Sequence, residues 1–265
     1  MIRLIAVLLL AVAALSAQAQ EAALRPGGIA ILDLGDATEP PPDVRYGDKP
    51  ALLYEQDGRL KAAIGLPLDL KPGKVTVKVG NDDREIDVSA HAYREQRLTV
   101  KNQSYVTPDP VQLERIGRER KIIDAAINNY RPATLDGIAL QTPVDGPRSS
   151  SFGLRRFFND QPRSPHKGMD IAAGEGTAII APRPGVVTAT GDYFFNGNTI
   201  IVDHGQGLVT LYCHLSEIAV NEGDELGTGE KLGAVGSTGR VTGPHLHFGV
   251  YLNGTAIDPA ILLSN

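Results

Sequence analysis

Five of the chain's six histidines, His166, His204, His214, His245 and His247, fall in its last hundred residues. Three stretches give them distinctive surroundings: His166-Lys167-Gly168-Met169-Asp170, Tyr212-Cys213-His214-Leu215 and Gly243-Pro244-His245-Leu246-His247-Phe248. Imidazole is the commonest protein ligand for zinc and the commonest general base near neutral pH. Side chains two apart on a strand share a face, so His245 and His247 can look into one cleft. His166 and Asp170 are four apart, but Pro165 and Gly168 argue for a loop running into a strand rather than a helical face. Two neutral imidazoles and one carboxylate make a three-ligand zinc site whose fourth position is open to water. Such a centre carries a net charge of about +1 and lowers the pKa of bound water toward ~7, which is hydrolytic chemistry.

On these motifs, the stretch from about residue 142 to the C-terminus resembles the lysostaphin/LytM-type metalloendopeptidases, which cut the peptide stems or cross-bridges of peptidoglycan. The resemblance rests on HxxxD at His166 and Asp170, HxH at His245 and His247, and Tyr-x-His-Leu at His214. Ser151-Phe152-Gly153, Val202-Asp203-His204-Gly205, Gly236-Ser237-Thr238-Gly239 and Asp258-Pro259 extend it. It implies one zinc per chain, held by His166, Asp170 and His247, with His214 and His245 as the catalytic imidazoles. Which of those two is the general base is open at this stage. Cys213 stands where Ala is usual and Gly249 where Glu is frequent, and neither is a ligand position. The implied activity is hydrolysis of peptide cross-links, D-alanyl to meso-diaminopimelate in a Gram-negative periplasm. Relatives that have lost ligands act instead as non-enzymatic activators of cell-wall amidases; the full ligand set here favours the enzyme.

The remaining candidates carry less. His204 closes an apolar strand before Gly205, where it either caps a turn or supports a ligand or His214. His91 has no motif around it. Strand alternation turns Cys213 away from the cleft that His214 faces, so its thiol is packing rather than nucleophile. Arg155, Arg156 and Lys167 are cations able to pair with a substrate carboxylate, with solvated surface as the simpler role.

These groups need a scaffold and a compartment. Residues 4–15 form an apolar run behind Arg3, ending in Ala17-Gln18-Ala19, the pattern of a cleavable leader over residues 1–19 that is too short to span a bilayer. The expectation is an exported, periplasmic protein with no membrane span after cleavage. The net charge of −5, made one unit more negative by loss of Arg3, argues against nucleic acid as a partner. A single cysteine excludes an internal disulfide. Zero Trp, 29 Gly and 18 Pro fit short strands and many turns, so the fold class is mainly β.

Residues 20–106 read as an immunoglobulin-like β-sandwich, with strands at 28–34, 51–54, 59–64 and 97–100. Val75, Val77 and Val79 alternate on one face, and a turn at 80–83 leads back through 85–88 as a hairpin. Residues 107–135 read as a helical connector, with Asp109 as N-cap and Pro110 at the first helical position. Its apolar stripe is Leu113, Ile116, Ile123, Ile127 and Tyr130, and its charges from Glu114 to Lys121 form a solvated face. Residues 136–265 read as the peptidase domain, an antiparallel β-sheet unit with strands at 178–180, 186–189, 199–202, 209–213 and 245–251. The first domain is expected either to restrain or aim the second, as an intramolecular regulator, or to be only a spacer.

Overall fold

Alternating apolar residues bounded by Gly and Pro build strands through most of the chain, and the computed structural model describes residues 23–37 and 40–264. The apolar leader and its cleavage site lie outside the described residues. In chain order the first strands are β1 (Ile29–Asp36), β2 (Val44–Tyr46), β3 (Lys49–Pro50), β4 (Leu52–Gln56), β5 (Arg59–Gly65), β6 (Gly73–Val79) and β7 (Asp82–Val88). They form two antiparallel sheets, ordered β1-β5-β4 and β3-β2-β6-β7. Ala30, Val44, Ala62, Ile64, Leu66, Val77, Ile86 and Val88 are buried together as their core. Each large aliphatic side chain removed from water there contributes about 1.5–3 kcal/mol. The β6–β7 turn is tighter than the expected 80–83: Asp82 and Asp83 already pair with Val79 and Lys78, leaving Gly80 and Asn81 as the connection. Gly80 supplies the left-handed residue, at φ +59°, that a two-residue hairpin needs.

The strand expected at 97–100 forms slightly earlier, as β8 (Glu95–Leu98), and joins neither of these sheets. It runs parallel to a strand from the C-terminal half, as described below. The connector helix, α1 (Pro110–Ile127), begins at Asp109 with a reciprocal capping box. Asp109 Oδ1 accepts from Gln112 N at 2.8 Å, and Gln112 Oε1 accepts from Asp109 N at 3.0 Å. Its expected stripe holds only in part. Ile127 is buried and Ile116 and Ile123 are half-buried, but Leu113 is exposed, and Tyr130 lies exposed beyond the helix end. Two of its charges do the docking instead: Glu119 Oε2 accepts from Phe194 N at 2.8 Å, and Arg115 donates to Asp192 O at 2.9 Å. A solvated face is therefore wrong for these two residues, because unpaired backbone groups of a neighbouring turn face them.

The C-terminal half contributes β9 (Arg148–Ser150), β10 (Arg155–Phe158), β11 (Gln161–Pro162), β12 (Met169–Ile171), β13 (Ala178–Ile180), β14 (Gly185–Tyr193), β15 (Gly197–Asp203), β16 (Leu208–Ile218), β17 (Glu225–Leu226), β18 (Lys231–Val235), β19 (Leu246–Leu252) and β20 (Thr255–Ile257). Its main antiparallel sheet runs β17-β14-β15-β16-β19-β12-β9, with β13, β18 and β20 attached. Tyr212, Phe248, Ile200, Val202 and Leu246 are fully buried in its core. Ile29, Leu52, Tyr54 and Ala63, from the β1-β5-β4 sheet, belong to that same core. The N-terminal strands are thus packed onto the C-terminal sheet by apolar surface. Among the described residues no helix is long and apolar enough to cross a membrane.

Candidate zinc site

Three adjacent strands carry the site. Asp170 on β12 and His247 on β19 are register partners in an antiparallel pair, which puts their side chains side by side. Cys213 on β16 pairs with His247 from the other side. The loop before β12 delivers His166, as Pro165 and Gly168 suggest; Gly168 is required there because a Cβ would lie 2.7 Å from the His247 ring. His166 Nε2 and His247 Nδ1 lie 3.0 and 2.9 Å from Asp170 Oδ1 and 2.9 Å from each other. His166 and Asp170 are buried, and His247 is half-buried.

The tautomers suit a cation. His166 Nδ1 donates to Ser151 O at 2.9 Å, which leaves Nε2 with its lone pair toward the cluster. Burial outweighs the hydrogen bond to Asp170, which favours the charged ring, and lowers the His247 pKa. Burial alone would raise the Asp170 carboxyl; the contacts with His166 and His247 outweigh it and hold it well below the usual carboxylate range. Two imidazole lone pairs and a carboxylate oxygen converging at such distances repel one another unless a positive charge joins them. This is the donor set and approximate spacing of a zinc site with three protein ligands, and these residues fit one zinc ion.

Two further imidazoles stand beside the trio. His245 precedes β19, paired to Gly236 by an isolated bridge, and its Nε2 lies 3.9 Å from Asp170 Oδ1. Its Nδ1 donates to Gly243 O at 2.9 Å. His214 sits where β16 leaves β19, after Cys213, and joins β18, from Leu215. That change of partner is made through φ +69° at His214, a left-handed conformation costing a non-glycine residue about 1–3 kcal/mol. Hydrogen bonds hold it: His214 N donates to Asn196 O at 2.8 Å, and Nδ1 to Thr238 O at 2.9 Å. The His214 ring lies 4.9 Å from His245 and 6.0 Å from His247, centroid to centroid. Burial, with His247 and His245 nearby, drives its pKa down to about 3. In both rings it is Nδ1 that bonds a backbone carbonyl.

His204 takes the structural role. Its Nδ1 bonds Pro184 O at 2.8 Å and its Nε2 bonds Thr210 Oγ1 at 2.7 Å, so it touches neither a ligand nor His214. Burial drives its pKa from 6.5 to about 3. The folded value is the lower one, so the unfolded chain binds the extra proton between these limits and stability falls as pH drops from about 6.5 toward 3. The loss is at most about 1.4 kcal/mol per pH unit within that window. Urea titrations at pH 7 and pH 5 should show a smaller acid-induced loss for His204→Gln than for the parent chain; equal losses would remove His204 from the effect. Cys213 is buried, as alternation predicts, and burial raises its thiol pKa. His91 packs edge-on against Tyr93, ring centroids 4.4 Å apart, away from the cluster's contacts.

Arg156 departs most from expectation. It is not solvated surface: its Nη2 donates to Asp170 Oδ2 at 3.1 Å and its Nε to Gln96 Oε1 at 3.0 Å. Gln96 comes from β8, which lies parallel to β10 with Gln96 opposite Arg156. Tyr93, just before β8, packs against Gly153, where a Cβ would come 2.1 Å from its ring. A residue from the N-terminal half thus steadies the guanidinium that holds the second oxygen of a metal ligand. No sequence spacing links residues 96, 156 and 170; only the parallel pairing joins them. Arg156→Ala should weaken zinc binding by roughly 10–100-fold, the usual effect of losing such a partner. Chelator competition titrations would measure it, and unchanged affinity would show the contact to be dispensable. Arg155 pairs with Glu95 on the surface, and Lys167 is exposed.

An antiparallel sheet bearing a His/Asp/His zinc cluster in register with two spare imidazoles is the site of a zinc-peptidase class of protein. Residues 164–259 match peptidase family M23, and residues 24–90 match the peptidase family M23 N-terminal domain. A solved peptidase M23 structure from Pseudomonas aeruginosa is 41% identical, with a TM-score of 0.75 over 90% of this chain and 94% of that one. The chain belongs to peptidase family M23. The peptidoglycan DD-endopeptidase ShyA of Vibrio cholerae is 39% identical over 111 residues, 42% of this chain and 26% of that protein. The DD-carboxypeptidase/endopeptidase Mpg of Neisseria meningitidis is 43% identical over the same shares. The chain thus spans about a quarter of the length of these curated relatives.

Proposed function

We propose that this protein is an exported zinc metalloendopeptidase that hydrolyses peptide cross-links of peptidoglycan, the D-alanyl to meso-diaminopimelate bond, during cell-wall remodelling. The carrying observation is the pair His214 and His245. Both lie outside the ligand trio, both have Nδ1 tied to a backbone carbonyl, and both have a free Nε2 beside it. Zinc in the trio supplies Lewis acidity toward water and a substrate carbonyl. One of His214 and His245 accepts the proton of the attacking water at Nε2 and returns it to the leaving amine, and the other hydrogen-bonds the developing oxyanion. Arg156 and Gln96 keep Asp170 in place throughout. A complete ligand set counts against a non-enzymatic activator of amidases. Periplasmic location follows from the leader reading of residues 1–19.

For the N-terminal half we propose an immunoglobulin-like sandwich over residues 20–106. The orders β1-β5-β4 and β3-β2-β6-β7 match an immunoglobulin pair B-E-D and C′-C-F-G, which supports this reading. Residues 107–135 are then the connector and 136–265 the peptidase domain. The apolar packing of the sandwich on the C-terminal sheet favours a positioning role over a free spacer. Digestion of purified sacculi, with muropeptides identified by mass spectrometry, tests the function: loss of D-alanyl–diaminopimelate dimers is expected, and intact dimers would refute it.

A further inference from the structure

A chain of net charge −5 gathers three guanidinium groups near one another, and one of them, Arg156, bonds a metal ligand. Arg156 is matched by Asp170. Arg163 and Arg240 have no acidic partner among the described residues. Arg163 donates to Val106 O and Gln161 Oε1, each at 2.7 Å, and to Pro162 O at 3.1 Å. Arg240 donates to Tyr105 O at 3.3 Å. Its Cζ lies 4.7 Å from the centroid of the Phe158 ring and 4.4 Å from that of Phe195. Phe158 belongs to the strand that carries Arg156, and Phe195 precedes Asn196, whose carbonyl holds His214. Thr238, two residues before Arg240, holds the His214 ring. Arg240 therefore lies between the wall that steadies a zinc ligand and the wall that presents a catalytic imidazole.

This arrangement is electrostatically incomplete. Burial, then Arg156 and Arg163, lower the Arg240 pKa to about 10. Like charges gathered out of water destabilise one another unless an anion joins them. Bound zinc would add more positive charge to the same cleft. The present acceptors are two successive backbone carbonyls, Tyr105 O and Val106 O, at the end of the short 3-10 turn Gln103–Tyr105. A carbonyl is a weaker partner for a guanidinium than a carboxylate, which takes two parallel N–H donors.

We infer that Arg240 and Arg163 form a subsite for a free carboxylate of the peptide substrate, a position the carbonyls of Tyr105 and Val106 take in its absence. This rests on the peptide-hydrolase reading and adds to it the residues that would recognise the carboxylate beside the scissile bond. The flanking rings of Phe158 and Phe195 hold Arg240 in place by cation–π contact.

The test separates binding from turnover. Synthetic D-alanyl–meso-diaminopimelate peptides, with the diaminopimelate carboxyl free or amidated, are titrated calorimetrically into the zinc-loaded full chain carrying His245→Ala. The free acid should bind about tenfold or more tightly than the amide, the scale of a charge-assisted hydrogen bond. Adding Arg240→Gln should erase that preference with zinc content and melting temperature unchanged, and Arg240→Lys should keep part of it. Equal affinity for the two peptides, no measurable binding of either, or a preference that survives both Arg240→Gln and Arg163→Gln would overturn the subsite. Cleavage of the free acid by the unmutated chain is followed separately. Preferential binding without cleavage would remove the peptidase reading and leave the subsite standing.

Discussion

Replacing His247 by Ala is expected to empty the metal site and reduce hydrolysis to background. The substitution removes the ligand whose Nδ1 lies 2.9 Å from both Asp170 Oδ1 and His166 Nε2, and leaves two protein ligands. A centre with two protein ligands holds zinc far more weakly than one with three, and the loss should exceed the roughly 10–100-fold typical of an outer partner such as Arg156. Asp170→Ala should do the same and also strand Arg156 without its acidic partner, so a drop in melting temperature is expected there as well. Metal analysis of dialysed protein decides the matter. Full zinc occupancy in His247→Ala would overturn the ligand assignment.

The second large effect separates chemistry from metal binding. His214→Ala and His245→Ala should each retain zinc, because neither belongs to the converging trio, yet each should lose on the order of a hundredfold or more in kcat. The two need not match. His214 is the more deeply buried and is held in a left-handed backbone conformation that alanine, which keeps the Cβ, does not relieve. His214→Ala should therefore cost some stability as well as activity, through the lost bond to Thr238 O. A variant that digests sacculi at the parental rate would take that histidine out of the mechanism. Zinc loss in either variant would move it into the ligand set.

The same geometry changes how the N-terminal half should be tested. A fragment beginning at residue 136 would lack Gln96 and the β8 strand beside β10, and would expose Leu252 and Ile257, which pack on Gly65 of β5. Slower cleavage by that fragment would report a damaged site rather than a lost regulator. Gln96→Ala in the full chain avoids this confusion.

The ligand trio, and the two imidazoles proposed as catalytic, could be singled out in sequence because each lies within a short motif whose spacing matches a strand or a loop entering one. HxH puts two side chains on one face whatever the fold, since strand periodicity is local. The same locality made β1, β4–β7 and the α1 cap readable: alternation, a glycine turn and an Asp-Pro start are written in neighbouring residues. The rest depends on pairings between distant segments. Asp170 meets His247 only because β12 and β19 are adjacent in register, and Arg156 reaches Gln96 only because β8 crosses to β10. Glu119 leaves the solvated face of α1 because the Phe194 amide needs an acceptor. Arg163 and Arg240 come together around the carbonyls of residues 105 and 106 for the same kind of reason. Residue type and spacing determine which groups can do chemistry; the partners that hold and charge those groups are set by sheet order and register, which no local window of the chain contains.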